Sequence, residues 1–413
     1  MSTLYPSSAR PIHGIFVETR LRELLKSGEV DARVVAPVPW FPFRGERFGE
    51  YGTFAATPRF ETRNGIDVYH PRYFLPPKVG MNIAPDMIAR AALPVIRRLQ
   101  KAGFDLDLID AHYYYPDGVA AAIVGRALGK PFIVTARGTD LNLVPEYPRP
   151  RQRILETAAA AHASIGVCKA LMDRLAALGA DPAKLHVLRN GVDLERFVPE
   201  PRLQARQRLG LESEGKLLLS VGHLIERKGH HIVIEALAML PADVRLVIAG
   251  AGEERTRLER LAQARGVAAR LRFAGAVPQA ELKWYYSAAD ALVLCSSREG
   301  WANVLLEAMA CGTPVIATNI WGPPEVVATD AAGCLMTERT PAALVRAFDT
   351  LFGRDIARAA TRAYAETFSW EETTAGQLRL MREVVAGRHI PGVCMGARNQ
   401  VDAGKEVKWN PSC

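Results

Sequence analysis

Short aliphatic, β-branched runs alternate with longer amphipathic stretches along most of this chain, and the alternation restarts halfway. The early runs are Arg33–Ala36, Leu106–Ala111, Phe132–Thr135 and Ser164–Val167, with helices predicted over 15–26 and 119–128. The later runs are Lys216–Val221, Arg245–Ala249, Arg272–Ala274, Ala291–Cys295 and Pro314–Ala317, separated by predicted helices over 203–209, 230–240, 253–265, 279–289 and 302–311. Strands separated by helices of ten or more residues form βαβ units, because a parallel neighbour is reached only through a crossover. Two such series predict an α/β chain of two Rossmann-like, doubly wound domains, and 413 residues are enough for two cores. Asn190-Gly191 and then Pro199 and Pro201 mark the seam. The expected division is 1–195, 196–367, a helix over 368–387, and an aperiodic, poorly ordered tail over 388–413.

Composition removes several classes. Apolar residues are 49% and charged residues 23%, as in soluble globular proteins. None of the 6 Cys forms a C-x-x-C pair, so buried thiols in a reducing compartment are expected, with no zinc or redox site. Met1–Pro6 lacks the basic end and apolar core of a signal peptide, and no apolar run reaches the length of about 18 residues that spans a membrane. A cytoplasmic location follows as the expectation. The net charge of +8 permits nucleic acid, an anionic membrane or phosphorylated small molecules as partners without choosing among them.

Two loops carry chemistry. In Ser297-Arg298-Glu299-Gly300-Trp301-Ala302-Asn303-Val304-Leu305-Leu306-Glu307, a predicted strand feeds a glycine-containing loop that opens a helix. Ligands of parallel sheets sit at the carboxyl ends of strands, and a helix start offers unpaired N–H groups to an anion. Asn303 and Glu307, four residues apart, share one helix face, and a carboxylate there suits a diol. An ordinary exposed helix stripe reads equally well from these residues alone. In Val221-Gly222-His223-Leu224-Ile225-Glu226-Arg227-Lys228-Gly229, cationic side chains again follow a strand, where a departing diphosphate would need them. A solvated basic loop is the competing reading, favoured for Arg227 and weaker for Lys228. Gly250-Ala251-Gly252 lacks the third glycine of a dinucleotide fingerprint.

The ordered set Asn190-Gly191-Val192-Asp193, Val221-Gly222-His223-Leu224 with Lys228-Gly229, and Glu299-x7-Glu307 resembles glycosyltransferase family 4. The resemblance covers about 4–386 and implies a GT-B architecture, two Rossmann-like domains facing across a cleft. It implies a retaining transfer of a hexosyl group from a nucleoside diphosphate sugar to an acceptor hydroxyl, in polysaccharide or glycolipid synthesis. By that analogy Glu307 binds the ribose and Glu299 the donor sugar. Backbone N–H groups of Trp301, Ala302, Asn303 and Val304 hold the distal phosphate, Lys228 neutralises the diphosphate, and Val277 meets the base. Gly14, in His13-Gly14-Ile15-Phe16, stands where the family has a loop under the donor. The implied partners are a nucleotide sugar and a glycan or lipid-linked acceptor, with no nucleic acid and no metal or other cofactor. A sugar-nucleotide 2-epimerase or a non-catalytic sugar-nucleotide binder remains open.

The chain departs from the family in three places. His223 and Gly222 stand where relatives carry Gly-Arg, so His223 is taken with Lys228 and Glu299 as the catalytic set. In Val134-Thr135-Ala136-Arg137-Gly138-Thr139-Asp140, Arg137 replaces a His. Arg137, Asp140 and His112, the last at the end of the 106–111 run, are expected as sugar or acceptor contacts. Finally, Leu4 aligns just after the family's first strand, so the amino-terminal sheet is expected to lack a strand; a start placed too far downstream is the preferred account. Asp105-Leu106-Asp107 is a D-x-D, but it stands before its strand, away from the ligand edge. The segment 86–101, with Arg90, Arg97, Arg98 and Lys101, could rest peripherally on an anionic membrane, although Pro94 weakens it as one helix and packing on its own domain is the preferred reading.

Overall fold

The computed structural model describes residues 1–76 and 80–387, so the tail over 388–413 lies outside the described residues. The amino-terminal half holds β1 (Val34–Val35), β2 (Val38–Pro39), β3 (Phe60–Arg63), β4 (Ile66–Tyr69), β5 (Arg72–Tyr73), β6 (Ile109–His112), β7 (Phe132–Ala136), β8 (Ala163–Gly166) and β9 (Leu185–Val187). The second half holds β10 (Leu217–Val221), β11 (Arg245–Ala249), β12 (Leu271–Gly275), β13 (Ala291–Leu294), β14 (Val315–Thr318) and β15 (Gly333–Met336).

The second sheet is wholly parallel, in the order β12-β11-β10-β13-β14-β15. Its central strands are buried along their length, as a sheet covered by helices on both faces requires. Strand order reverses between β10 and β13, and the crevice of such a sheet opens at that point, beyond the carboxyl ends. Asp290 anchors the entry of β13. It accepts from the buried Arg206 Nη2 (2.6 Å), from Arg202 Nη1 (2.6 Å) and from Leu217 N (2.7 Å), and so ties the helix Arg202–Arg208 to the sheet.

Among the described residues the first half contains the two-stranded β2-β5 and two larger sheets on either side of a gap, β1-β4-β3 and the parallel β6-β7-β8-β9. Met1 and Ser2 bridge them, Ser2 N donating to Val35 O (3.2 Å) and His112 N donating to Met1 O (3.1 Å). Beyond this bridge a cavity of about 570 Å³ runs between Val30–Val34 and Phe104–Ile109. Strand β6 begins at Ile109 and not at Leu106, because its partner starts at Phe132 and Pro131 before it has no N–H to continue the ladder. The hairpin β3–β4, which the sequence pattern missed, turns on Asn64 and Gly65, both at positive φ (49° and 78°).

Pro94 does not interrupt the helix Gly80–Lys101, contrary to expectation. It faces solvent, where a lost backbone hydrogen bond is replaced by water. Ile88, Ala89, Ala92 and Ile96 are buried while Arg90, Arg97, Arg98 and Lys101 are exposed, so the helix packs on its own half through one face. The final helix, Trp370–Val385, lays Leu380 and Val384 against Ile133, Ala163 and Ile165 of the first half.

Candidate active site

The loops that leave the carboxyl ends of β10 and β13 meet at the reversal point. Gly222 turns the chain out of β10, and the Lys228 stem lies along it, with Cε at 3.4 Å from the position a Cβ would take there. His223 is exposed on the cleft side, and its carbonyl accepts from His230 Nε2 (3.2 Å) while His230 Nδ1 contacts Ser220 Oγ (2.9 Å). His230 is therefore a buried strut of this loop that sequence reasoning missed; burial, the largest cause, lowers its pKa to about 4 and keeps it neutral. Across the gap, Lys228 Nζ donates to Glu299 Oε1 at 2.7 Å, and Arg227 Nη1 stands 3.7 Å from the same oxygen. Burial pushes the Glu299 carboxyl up, but Lys228 and Arg227 outweigh it and leave the pKa below its usual value. Two of the three expected catalytic groups are thus already an ion pair.

The helix Asn303–Ala310 follows, with Ala302 at its cap and Trp301 buried on Phe368. Asn303 N turns back to Trp301 O (3.2 Å), and Asn303 Oδ1 accepts from Asn190 Nδ2 (3.3 Å). Glu307, one turn on, is buried, and its Oε2 accepts from Tyr286 Oη at 2.6 Å. Burial raises its pKa, an effect opposed by hydrogen bonds from Tyr286 and Gln279. Gln279 is held in turn by Arg196 Nη1 (2.7 Å). Tyr286 orients the Glu307 carboxylate through Oε2; this partner comes from another helix, so only the fold brings it near. Val277 is half-buried in the loop after β12. Glu307→Ala should weaken binding of a nucleoside diphosphate by about 1.5–3 kcal/mol, the range for hydrogen bonds to a charged group. Calorimetry on the folded variant checks this, and unchanged affinity would remove Glu307 from the site.

The first half faces this site through the loops after β6 and β7. Asp140 is spent on backbone: Oδ1 accepts from Gly138 N (2.7 Å) and Arg137 N (3.1 Å), and Oδ2 from Tyr114 N (2.7 Å). It shapes the loop and turns neither oxygen to a ligand. His112 is buried, with Nδ1 accepting from Arg137 Nη2 (2.6 Å) and Nε2 set 3.3 Å from Asp110 Oδ2. Burial, the largest cause, lowers its pKa to about 4, so the ring is neutral and both its nitrogens are engaged. Of the three expected sugar contacts, Arg137 alone keeps a polar atom unmatched, its Nε.

The halves touch at Gly300. A Cβ there would lie 1.9 Å from Arg137 O and 2.9 Å from Gly138 Cα, so only glycine lets the loop after β13 meet the loop after β7. Glu325 adds a strut, accepting from Arg189 Nη2 (2.6 Å) at the seam and from Ala170 N (3.2 Å) in the first half. Gly14 (φ 66°) starts the helix Ile15–Leu25 and packs on Leu4; a Cβ would lie 2.4 Å from its carbonyl. Beside it His13 contacts Arg10 Nη2 (3.1 Å) and Thr3 O (3.2 Å), and burial first, then Arg10, depress its pKa to about 4. Asp105 and Asp107 lie at the amino end of β6, where Asp105 pairs with Lys130 (3.0 Å), far along the strand from the ligand edge.

Residues 14–196 match the family described as Glycosyltransferase Family 4, and residues 201–368 match Glycosyl transferases group 1. A protein of Bacillus subtilis (strain 168) assigned by name as a glycosyltransferase of teichuronic acid biosynthesis is 32% identical over 328 residues, 78% of this chain and 80% of that protein. Among solved structures, sucrose-phosphate synthase from Thermosynechococcus elongatus superposes with a TM-score of 0.74 at 21% identity, over 91% of this chain and 94% of that one. Anabaena HepE in complex with UDP-glucose gives 0.70 at 20% identity, over 94% and 98%.

Proposed function

The chain belongs to glycosyltransferase family 4 and is a glycosyltransferase of glycan biosynthesis with a GT-B fold, and from that premise we propose that it moves a hexosyl group from a nucleoside diphosphate sugar to an acceptor hydroxyl with retention of configuration. One observation carries this reading. The Lys228–Glu299 pair and the Tyr286-oriented Glu307 flank the carboxyl ends of β10 and β13, where strand order reverses. That spacing offers a cation for a diphosphate, a carboxylate for the sugar and a carboxylate for the ribose. UDP-glucose in HepE, a protein of the same fold, supports a nucleotide sugar of this kind.

In the proposed mechanism the donor diphosphate enters between Lys228 and the N–H groups at the start of the helix Asn303–Ala310, and Lys228 exchanges part of its bond to Glu299 for the phosphate. Glu299, released on one oxygen, accepts from sugar hydroxyls. His223, exposed on the same loop, adds a second donor to the leaving group. No side chain is needed as nucleophile: the departing diphosphate takes the proton of the acceptor hydroxyl on the same face. Approach of the two halves through Gly300 removes water that would otherwise hydrolyse the donor.

The test is a panel of nucleotide sugars with and without glycan and lipid-linked acceptors, read by nucleoside diphosphate release. Acceptor-dependent release supports transfer, conversion of the donor without release supports the 2-epimerase, and binding without either supports a non-catalytic binder. Activity should survive EDTA, because the D-x-D carboxylates stand at the wrong end of β6; loss restored by manganese or magnesium would overturn metal independence.

A cytoplasmic location with contact to an anionic membrane, through which a lipid-linked acceptor would arrive, is part of the same proposal. Among the described residues no helix is long and apolar enough to cross a membrane. Trp40, Phe43, Tyr51 and Phe74 are exposed on the first half, next to Arg44 and Arg47, a pairing of aromatic bodies and cationic heads that suits a lipid interface. Co-sedimentation with phosphatidylglycerol vesicles should be lost in a Trp40→Ser, Phe43→Ser double variant, and equal recovery of both proteins would sink the idea.

A further inference from the structure

Six residues from five segments of the chain, Asp110 and His112 both on β6, close a buried hydrogen-bonded ring behind the cleft. Arg20 Nε donates to Gln377 Oε1 (2.9 Å), Gln377 Nε2 to Asp110 Oδ2 (3.0 Å), and Asp110 meets His112 Nε2 (3.3 Å). Arg137 Nη2 donates to His112 Nδ1 (2.6 Å), and both Arg137 Nη1 (3.2 Å) and Arg20 Nη1 (3.4 Å) donate to the one amide oxygen of Asn190. The ring contains two guanidiniums and one carboxylate. Among the described residues neither arginine forms an ion pair, and each keeps a buried nitrogen unpartnered, Nε of Arg137 and Nη2 of Arg20. Two like charges sharing a neutral acceptor in a low-dielectric interior are costly unless a further anion is present.

The position of Arg137 says where that anion would come from. Arg20 is 1% exposed and wholly internal, whereas Arg137 retains 9% exposure. Its carbonyl abuts Gly300, the neighbour of Glu299, and its guanidinium lies over Phe16, 5.4 Å from the ring centroid and in the first turn after Gly14. Asn190, which it holds, donates onward to Asn303 at the start of the helix proposed for the donor phosphate (3.3 Å). The guanidinium therefore lies between Phe16, in the first turn after Gly14, and Asn190, which reaches the start of the helix Asn303–Ala310.

We propose that Arg137, backed by Arg20, forms a subsite for an anionic group, a carboxylate or phosphate, carried by the sugar or acceptor bound in the cleft. This rests on the glycosyltransferase reading above and adds a substrate class to it. A guanidinium suits such oxygens because its planar fork can offer two parallel N–H bonds, which a neutral hydroxyl cannot fill. His112, neutral and fixed by Asp110, acts on the substrate only through Arg137, as a positioning residue.

The experiment compares matched pairs on the wild type, Arg137→Gln and Arg137→Lys. For the donor, UDP-glucuronic acid is set against UDP-glucose; for the acceptor, glucose 6-phosphate is set against glucose with each donor. Calorimetry and nucleotide release are both read, and UDP alone reports that each variant is folded and its donor site intact. A preference for the acidic member on the order of 10²-fold, lost in Arg137→Gln and partly kept in Arg137→Lys with UDP affinity unchanged, is the expected result. Preference within the donor pair places the anion on the transferred sugar, and preference within the acceptor pair places it on the acceptor. UDP binding with no preference in either pair, or a preference untouched by Arg137→Gln, overturns the subsite and leaves the glycosyltransferase reading standing. Failure to bind UDP at all overturns both.

Discussion

Lys228→Ala is expected to lower kcat on the order of 10²–10³-fold, the usual cost of losing one partner of a developing anion. Two effects act in the same direction. The leaving diphosphate loses its nearest cation. Glu299, whose Oε1 now sits 2.7 Å from Lys228 Nζ, is left with Arg227 at 3.7 Å and presents its negative charge towards the diphosphate. Lys228 and Arg227 together outweigh burial and keep the Glu299 pKa low, so removal of the Lys228 ammonium should move that pKa upward. Activity that depends on ionised Glu299 should then fall off at higher pH on the acid side than in the wild type. A pH profile of kcat for Lys228→Ala and Lys228→Arg checks both points. The Arg variant should keep the wild-type acid limb and much of the rate. An Ala variant with unaltered kcat would take the whole β10 loop out of the mechanism.

The second large effect is expected at a residue with no functional group. Gly300→Ala places a methyl 1.9 Å from Arg137 O, between the loops that join the halves. Neither backbone can yield cheaply, since Asp140 ties Arg137 N and Gly138 N in place on one side. The halves should be held apart by an ångström or more, and a displacement of that size is enough to cost ~10²-fold in rate when reacting groups lie on opposite sides. Nucleoside diphosphate affinity should change little, because Glu307, Tyr286 and Lys228 all belong to the second half. The expected signature is thus a fall in kcat with UDP binding preserved, measured by steady-state kinetics and calorimetry. Equal loss of UDP affinity would mean that the substitution disrupts the second half itself.

The strand–helix alternation was legible because burial on both faces of a parallel sheet demands continuous apolar runs, which are local in the chain. The loops at Gly222–Lys228 and Glu299–Glu307 were legible for a related reason: ligand loops follow their strands in sequence, so a glycine and polar residues after an apolar run mark them. What escaped notice locally was the hairpin over 60–69, despite its Asn64-Gly65 turn, and the start of β6, which depends on where Pro131 leaves its neighbour strand.

The sequence by itself determined the α/β class, the two-domain plan, and which residues carry charge at the ends of β10 and β13. Tertiary structure alone decided how those residues are spent. Asp140 and His112 looked as available as Arg137 from their places after strands, yet the fold gives one to three backbone N–H groups and the other to Asp110 and Arg137. Tyr286 meets Glu307, Asn190 meets Asn303, and Arg20 meets Asn190 across separations that no spacing rule encodes. The physical reason is the range of the forces. Hydrophobic periodicity is imposed residue by residue along a strand or helix, whereas the partner of a buried polar group is whichever group the packed elements bring within hydrogen-bonding distance.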